Sequence, residues 1–235
     1  MSYYTKTRSL TYSYLISMPL LLVYEVLIYI TQPDPATAIR LSADIWLKSI
    51  FAFTGQNTFV ITILVALVLG IYVFYRERYK RHSFHGNYFL GMILESLAYA
   101  VILASLISGF VTWLFAFVQS SGSVPTGLQQ FTLSLGSGLY EELVFRVILV
   151  GALLWLFERL QIKAGARKTG AIIIGALIFS AVHYMGALGD VFTLTSFTFR
   201  FLFGVALNLV LIYRGFGIAA WTHSLYNLML LFVWN

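Results

Sequence analysis

Residues 58–75 read TFVITILVALVLGIYVFY, eighteen positions without a charge. A hydrocarbon core about 30 Å thick takes about 20 helical residues to cross, so this run is a candidate membrane span. It lacks the polar–apolar alternation of a barrel strand. Six more stretches share its character: residues 9–31, 88–118, 131–157, 170–188, 197–213 and 217–234. The run 88–118 is long enough to tilt strongly or to continue past the membrane. The expected fold is all-α, a polytopic integral membrane protein of about seven transmembrane helices. No repeat, flexible linker or low-complexity tract divides residues 1–235, so a single membrane domain is expected.

Composition agrees. The chain has 235 residues, of which 60% are hydrophobic and 10% charged, against about 45–50% and 25% in soluble domains. A soluble globular domain is excluded. The net charge of +6 is distributed by side. Lys6, Arg8, Arg76, Arg78, Lys80, Arg81, Arg159, Lys163, Arg167, Lys168 and Arg214 fall on one side of the predicted spans, and Arg40 and Lys48 on the other. The positive-inside rule then puts the N-terminus in the cytoplasm and the C-terminus opposite; a bacterial or archaeal cell membrane is the expected location. The basic balance is therefore an address at the membrane surface, and no nucleic-acid partner is expected. With no Cys there is no disulfide, thiolate metal site or cysteine nucleophile.

Two local features are weighed against this frame. Ala36-Thr37-Ala38 matches an A-x-A cleavage site, but the apolar stretch before it is too long, contains Glu25 and is followed by Pro33 and Pro35. It is not expected to be a signal-peptide site. Residues 44–53, DIWLKSIFAF, gather Ile45, Leu47, Ile50 and Phe51 around Trp46. That pattern suggests an amphipathic helix on the outer surface, as an interfacial anchor in preference to a lid.

Connections this short leave chemistry to the membrane interior or its edge. Glu25, Glu95, Glu141, Glu142, Arg146 and Arg200 fall inside predicted spans, together with His183 and His223. Each ionised group near the bilayer centre costs about 2.5–3.5 kcal/mol on insertion scales, so such groups face a partner or a wet cavity. Three of the last four spans carry a spaced set: Glu141-Glu142-Leu-Val-Phe-Arg146, Phe179-Ser-Ala-Val-His183 and His223-Ser-Leu-Tyr-Asn227. Residues four apart share a helix face, whereas neighbours point about 100° apart. Glu142 can therefore pair with Arg146 while Glu141 points elsewhere, and His223 and Asn227 can address one ligand. A carboxylate and an imidazole suit activation of water by Glu141 and His183. An imidazole and a carboxamide, His223 and Asn227, suit an oxyanion. Hydrolysis of a carbonyl substrate, most simply a peptide bond, follows.

Each group taken singly has a plainer account. Glu142 with Arg146 is a structural pair, Glu141 an ion-pathway carboxylate, a lone His or Asn an interhelical contact, and Phe179 packing. Two His and a Glu also make a possible zinc set, with Glu141, His183 and His223 as ligands. The H-E-x-x-H arrangement is absent, and Asn227 suits an oxyanion better than zinc, so no cofactor is favoured.

The ordered trio EExxxR, FxxxH and HxxxN resembles the CAAX protease and bacteriocin-processing intramembrane proteases, which include the type II CAAX prenyl endopeptidases. The resemblance covers about residues 133–231, so 131–235 is expected as the catalytic core and 1–130 as helices without a recognised motif. It implies Glu141 with His183 at the water and His223 with Asn227 at the oxyanion. Glu142, Arg146 and Phe179 would support them. It also implies an intramembrane endopeptidase of glutamate type, acting on a peptide or protein at the membrane, lipidated substrates included, although the family is often labelled metalloprotease. A non-catalytic scaffold or regulator and a proton-coupled transporter are the competing functions. The sequence lacks the repeated pair of broken helices that a transporter would favour.

The remaining polar residues receive bland assignments. Glu25 and Glu95 are expected in mutual or helix-packing hydrogen bonds, and Asn208 in an interhelical one. Arg200 is expected to snorkel outward, to pair with an acidic residue or to guide a substrate carboxylate. Gly136, Ser137, Gly138 and Gly204 would let helices approach closely. His183 sits near the outer end of its segment and His223 near the inner end of a parallel one, an offset of ~10 Å by helical rise. Tilt, a re-entrant turn at 186–189 or segment ends other than these would have to remove it.

Overall fold

The apolar runs become helices whose ends are fixed by identifiable caps. A computed structural model describes residues 2–31, 41–51, 57–79, 85–114, 127–185 and 189–233. The helices are α1 (Tyr3–Thr7), α2 (Leu10–Thr31), α3 (Ser42–Ser49), α4 (Thr58–Glu77) and α5 (Gly86–Leu114). After them α6 (Gly127–Glu141) passes directly into a π-helical segment (Glu142–Val150) and then α7 (Gly151–Arg159). The chain ends with α8 (Ala164–Val182), α9 (Leu194–Arg214) and α10 (Phe216–Val233). Five of these, α2, α4, α5, α8 and α9, are long and apolar enough to cross a membrane. The other two expected segments are also helical, as the uninterrupted run from α6 to α7 and as α10. The chain is a multi-pass integral membrane protein. The Ala36-Thr37-Ala38 match and residues 186–188 of the suggested re-entrant turn lie outside the described residues.

The starts of α2, α4 and α9 need acceptors for orphan N–H groups. The Glu77 carboxylate, from α4, accepts from Leu10 N at 3.3 Å and Thr11 N at 2.9 Å. Asn57 accepts from Phe59 N, and Thr193 from Ser196 N. α9 stops at Gly215, whose φ of +89° suits glycine and lets α10 begin at the next residue.

The helix at the centre is α10. It packs against α2, α5, α6, α9 and the π segment. Each of three buried apolar clusters includes one of its residues: Ala220 between α2 and α6, Tyr226 between α5 and α9, and Ile218 with Tyr12, Ile16 and Met92. The approach of α6 to α10 depends on Gly138. A Cβ there would stand 2.4 Å from the Ala220 carbonyl oxygen and 2.6 Å from the Ser224 nitrogen. Gly136 is similarly crowded by the Tyr24 ring, at 2.3 Å, and Gly204 less tightly by Phe179, at 3.0 Å. By contrast, α4 lies at the periphery against α2 and α3.

Two buried ionic clusters hold the ends of the bundle. At the end bearing the N-terminus, Arg214 pairs with Glu95 and donates to Thr7 Oγ1 at 3.0 Å, while Tyr3 donates to Glu95 at 2.9 Å. Burial and the Glu95 carboxylate hold the Tyr3 phenol well above its ordinary range. Toward the other end, Lys48 of α3 bridges Asp44 and Glu25, each at 2.7 Å. Tyr140 donates to Glu25 at 2.5 Å and Tyr24 to Asp44 at 2.9 Å.

Glu25 and Glu95 make the helix-packing hydrogen bonds expected of them, from Tyr140 and Tyr3, and not a mutual one; each also has its own cation. In the amphipathic helix α3 the polar face turns inward. Asp44 and Lys48 are buried, whereas Ile45, Trp46 and Ile50 are exposed. Lys48 and Asp44 satisfy the buried Glu25 and Tyr24, which leaves the apolar face for lipid.

Candidate active site

The three motifs meet where α6, the π segment, α8 and α10 converge. A π-helix is rare and commonly marks a functional site. Here it starts at Glu142, so Glu141 is the last α-helical residue and Glu142 opens the widened turns. Glu141 lines a cavity of about 480 Å³ together with Phe179, His183, His223 and Asn227. Glu142 turns away from it and is fully buried against α10.

Both histidines are held through Nδ1. The His183 Nδ1 lies 2.7 Å from the Phe179 carbonyl. A carbonyl only accepts, so this nitrogen carries the proton and Nε2 is left toward Glu141. The His223 Nδ1 lies 2.8 Å from Glu142 Oε1 and donates to it in the same way. The two Nε2 atoms then stand 3.7 Å and 4.0 Å from one oxygen, Glu141 Oε2. These separations exceed a hydrogen bond, yet one water can bridge them. The ~10 Å depth offset counted from segment ends is absent, since both imidazoles reach the same Glu141 oxygen.

Around this centre the structure places every residue singled out from the motifs. Arg146 pairs with Glu142, Nε to Oε2 at 3.2 Å, with side chains only 1% and 0% exposed. Its guanidinium also lies over the Phe179 ring, 4.0 Å from the centroid. Phe179 is a hub, edge-on to His183 at 4.7 Å and to Phe145 at 5.2 Å. Asn227 donates to Ser137 Oγ at 2.5 Å, and Ser137 donates to Ser134 O at 3.0 Å. One amide N–H of Asn227 is thus fixed, leaving its other donor. Asn208 donates to the Ile172 carbonyl of α8 at 2.9 Å, the interhelical bond expected of it.

Sequence reasoning missed two of these partners. Glu142 was assigned to Arg146 alone, but its second oxygen holds His223. Ser137 was read as a small residue for close packing, yet it anchors Asn227. Its spacing four residues before Glu141 was the available signal, since it puts both on one face of α6. The hydroxyls of Ser108, Thr112, Thr195 and Ser196 along the cavity wall carried no signal in the sequence.

A zinc ion would need Glu141, His183 and His223 gathered as ligands at about 2.0–2.2 Å from one centre. Among the described residues, no group of three His, Cys, Asp or Glu is placed to hold a metal ion.

No curated protein and no solved structure matches the chain. A family model does: residues 123–229 match the type II CAAX prenyl endopeptidase family, Rce1-like. That segment contains Glu141, Glu142, Arg146, Phe179, His183, His223 and Asn227. Over these residues the chain is similar to the CAAX protease family.

Proposed function

We propose that the protein is an intramembrane endopeptidase that hydrolyses a peptide bond of a membrane-associated substrate, with Glu141 as the general base. The supporting observation is the convergence of His183 Nε2 and His223 Nε2 on one Glu141 oxygen at the wall of the cavity. A water bridging Glu141 and His183 gives its proton to the Glu141 carboxylate as its oxygen attacks the scissile carbonyl carbon. The imidazole, fixed in orientation by the Phe179 carbonyl, aims the water. The carbonyl oxygen becomes an oxyanion facing His223 and the free amide N–H of Asn227. For His223 to donate from Nε2 as well as Nδ1, its ring must be cationic, and Glu142 is the counter-charge. Arg146 offsets the second charge of Glu142. Collapse of the tetrahedral intermediate breaks the C–N bond, and the proton held by Glu141 passes to the leaving amine. No metal takes part in this sequence. The positive-inside distribution supports a cytoplasmic N-terminus, and the family match supports lipid-modified peptides as the substrate class.

The reaction is tested by incubating the purified protein in nanodiscs with acylated peptides in ¹⁸O-labelled water. The expected result is cleavage with one labelled oxygen in each new carboxyl group. Failure of the wild-type protein to cleave any membrane peptide overturns the proposal.

A further inference from the structure

The described lining of the cavity contains one permanent cation, Arg200, which the hydrolytic mechanism leaves unused. Arg200 lies near the start of α9, and two contacts tie it to the His183 end of α8. Its guanidinium lies 5.1 Å from the ring centroid of Tyr184, the residue after His183. Its Nη2 donates to Asp190 Oδ2 at 2.5 Å, and the Asp190 backbone N–H donates to the His183 carbonyl at 2.9 Å. The two sides of this ion pair differ. Asp190 is 56% exposed, whereas Arg200 is 24% exposed, and its Nη1 is buried without a hydrogen-bond partner. A buried donor with no acceptor is unfavourable, and a guanidinium fork matches a carboxylate on two parallel N–H bonds.

We propose that Arg200 is a specificity residue that binds a carboxylate of the peptide substrate, carried a few residues from the scissile bond. The inference rests on the endopeptidase reading and adds a substrate feature to it. Extended chain covers about 3.3–3.6 Å per residue, so a short segment reaches from Glu141 to a group beside Tyr184. The incoming carboxylate takes the free Nη1 arm, and exchange of Asp190 releases the second arm for a bidentate contact. Two sources supply the same chemistry: the C-terminal carboxylate of a peptide or an acidic side chain.

The probe is a pool of palmitoylated peptides in three forms: free C-terminal acid, C-terminal amide, and amide with Asp near the end. Cleavage by the full chain in nanodiscs is followed for wild type, Arg200→Gln and Asp190→Asn. Wild type is expected to show a KM about tenfold lower for the acid than for the plain amide, the scale of one charge-assisted contact. Arg200→Gln removes that difference, bringing the KM for the acid to that for the plain amide. Asp190→Asn keeps the preference, because the guanidinium remains. If the Asp amide behaves as the free acid does, a side chain is a sufficient source; if only the free acid is preferred, the terminus is read. Equal loss on all three forms in both variants would make the pair a structural tie and overturn the proposal. Equal wild-type KM for acid and amide also overturns it, while the protease assignment stands. Should wild type cleave nothing, binding of the same peptides to Glu141→Gln and to the Glu141→Gln, Arg200→Gln double variant still decides. Tighter binding of the acid that depends on Arg200 supports the inference, and equal binding refutes it.

Discussion

Tyr140, Glu141 and Glu142 are consecutive, yet they serve two buried charge clusters of opposite character. Tyr140 reaches into the first, where Glu25, Asp44 and Lys48 form two ion pairs and two phenols complete their hydrogen bonds. It is closed: Glu25, Asp44 and Lys48 are all buried, and none of them lines the cavity. Glu141 belongs to the second, where two imidazoles approach one carboxylate without touching it and a cavity opens beside them. Placing charge in a membrane is costly in both. The first recovers that cost by mutual satisfaction. The second leaves room for a molecule between its groups, which is what a catalytic centre needs and a structural one avoids. Burial of charge alone does not separate function from scaffolding; completeness of pairing does.

The contrast can be attacked at several points. Replacing His183 by Ala should lower kcat by about 10²–10⁴-fold, the usual contribution of a positioned acid–base group, while the melting temperature stays put. A stability loss with unchanged turnover per folded molecule would move His183 into the structural class. In the closed cluster the signs reverse. Lys48→Ala leaves Glu25 and Asp44 without their cation and should cost about 3–5 kcal/mol of stability, read by thermal unfolding in detergent, with turnover per folded molecule unchanged. Gly138→Ala brings a methyl against the α10 backbone and should cost about 1–3 kcal/mol. Because α6 and α10 carry the Glu142–His223 bond, the same variant should also lower activity. The smallest effect expected is that of chelation. Dialysis against EDTA should leave turnover unchanged, and loss of activity restored by zinc would contradict the metal-free mechanism.

Much of this was legible in the chain. The run of residues 58–75 and its six companions announce a helical membrane protein, because a bilayer demands long uncharged segments. The three spaced motifs announce which helices meet. Their partners were harder to read, since a buried charge names its need but not the group that meets it. Glu25 finds Lys48 on α3, and Lys48 had been counted as a surface cation of an amphipathic helix. The period of α3 was visible, but not which face turns inward, because that depends on Glu25 and Tyr24 from α2. The π segment was equally hidden. It begins at Glu142, directly after the cavity-lining Glu141.

The most direct test is the turnover of Glu141→Gln on a membrane peptide that the wild-type protein cleaves, with thermal unfolding recorded on the same samples. Glutamine keeps the shape and cannot take the proton. The account expects a fall in kcat of about 10²–10⁴-fold at an unchanged melting temperature. Full turnover by this variant would contradict it.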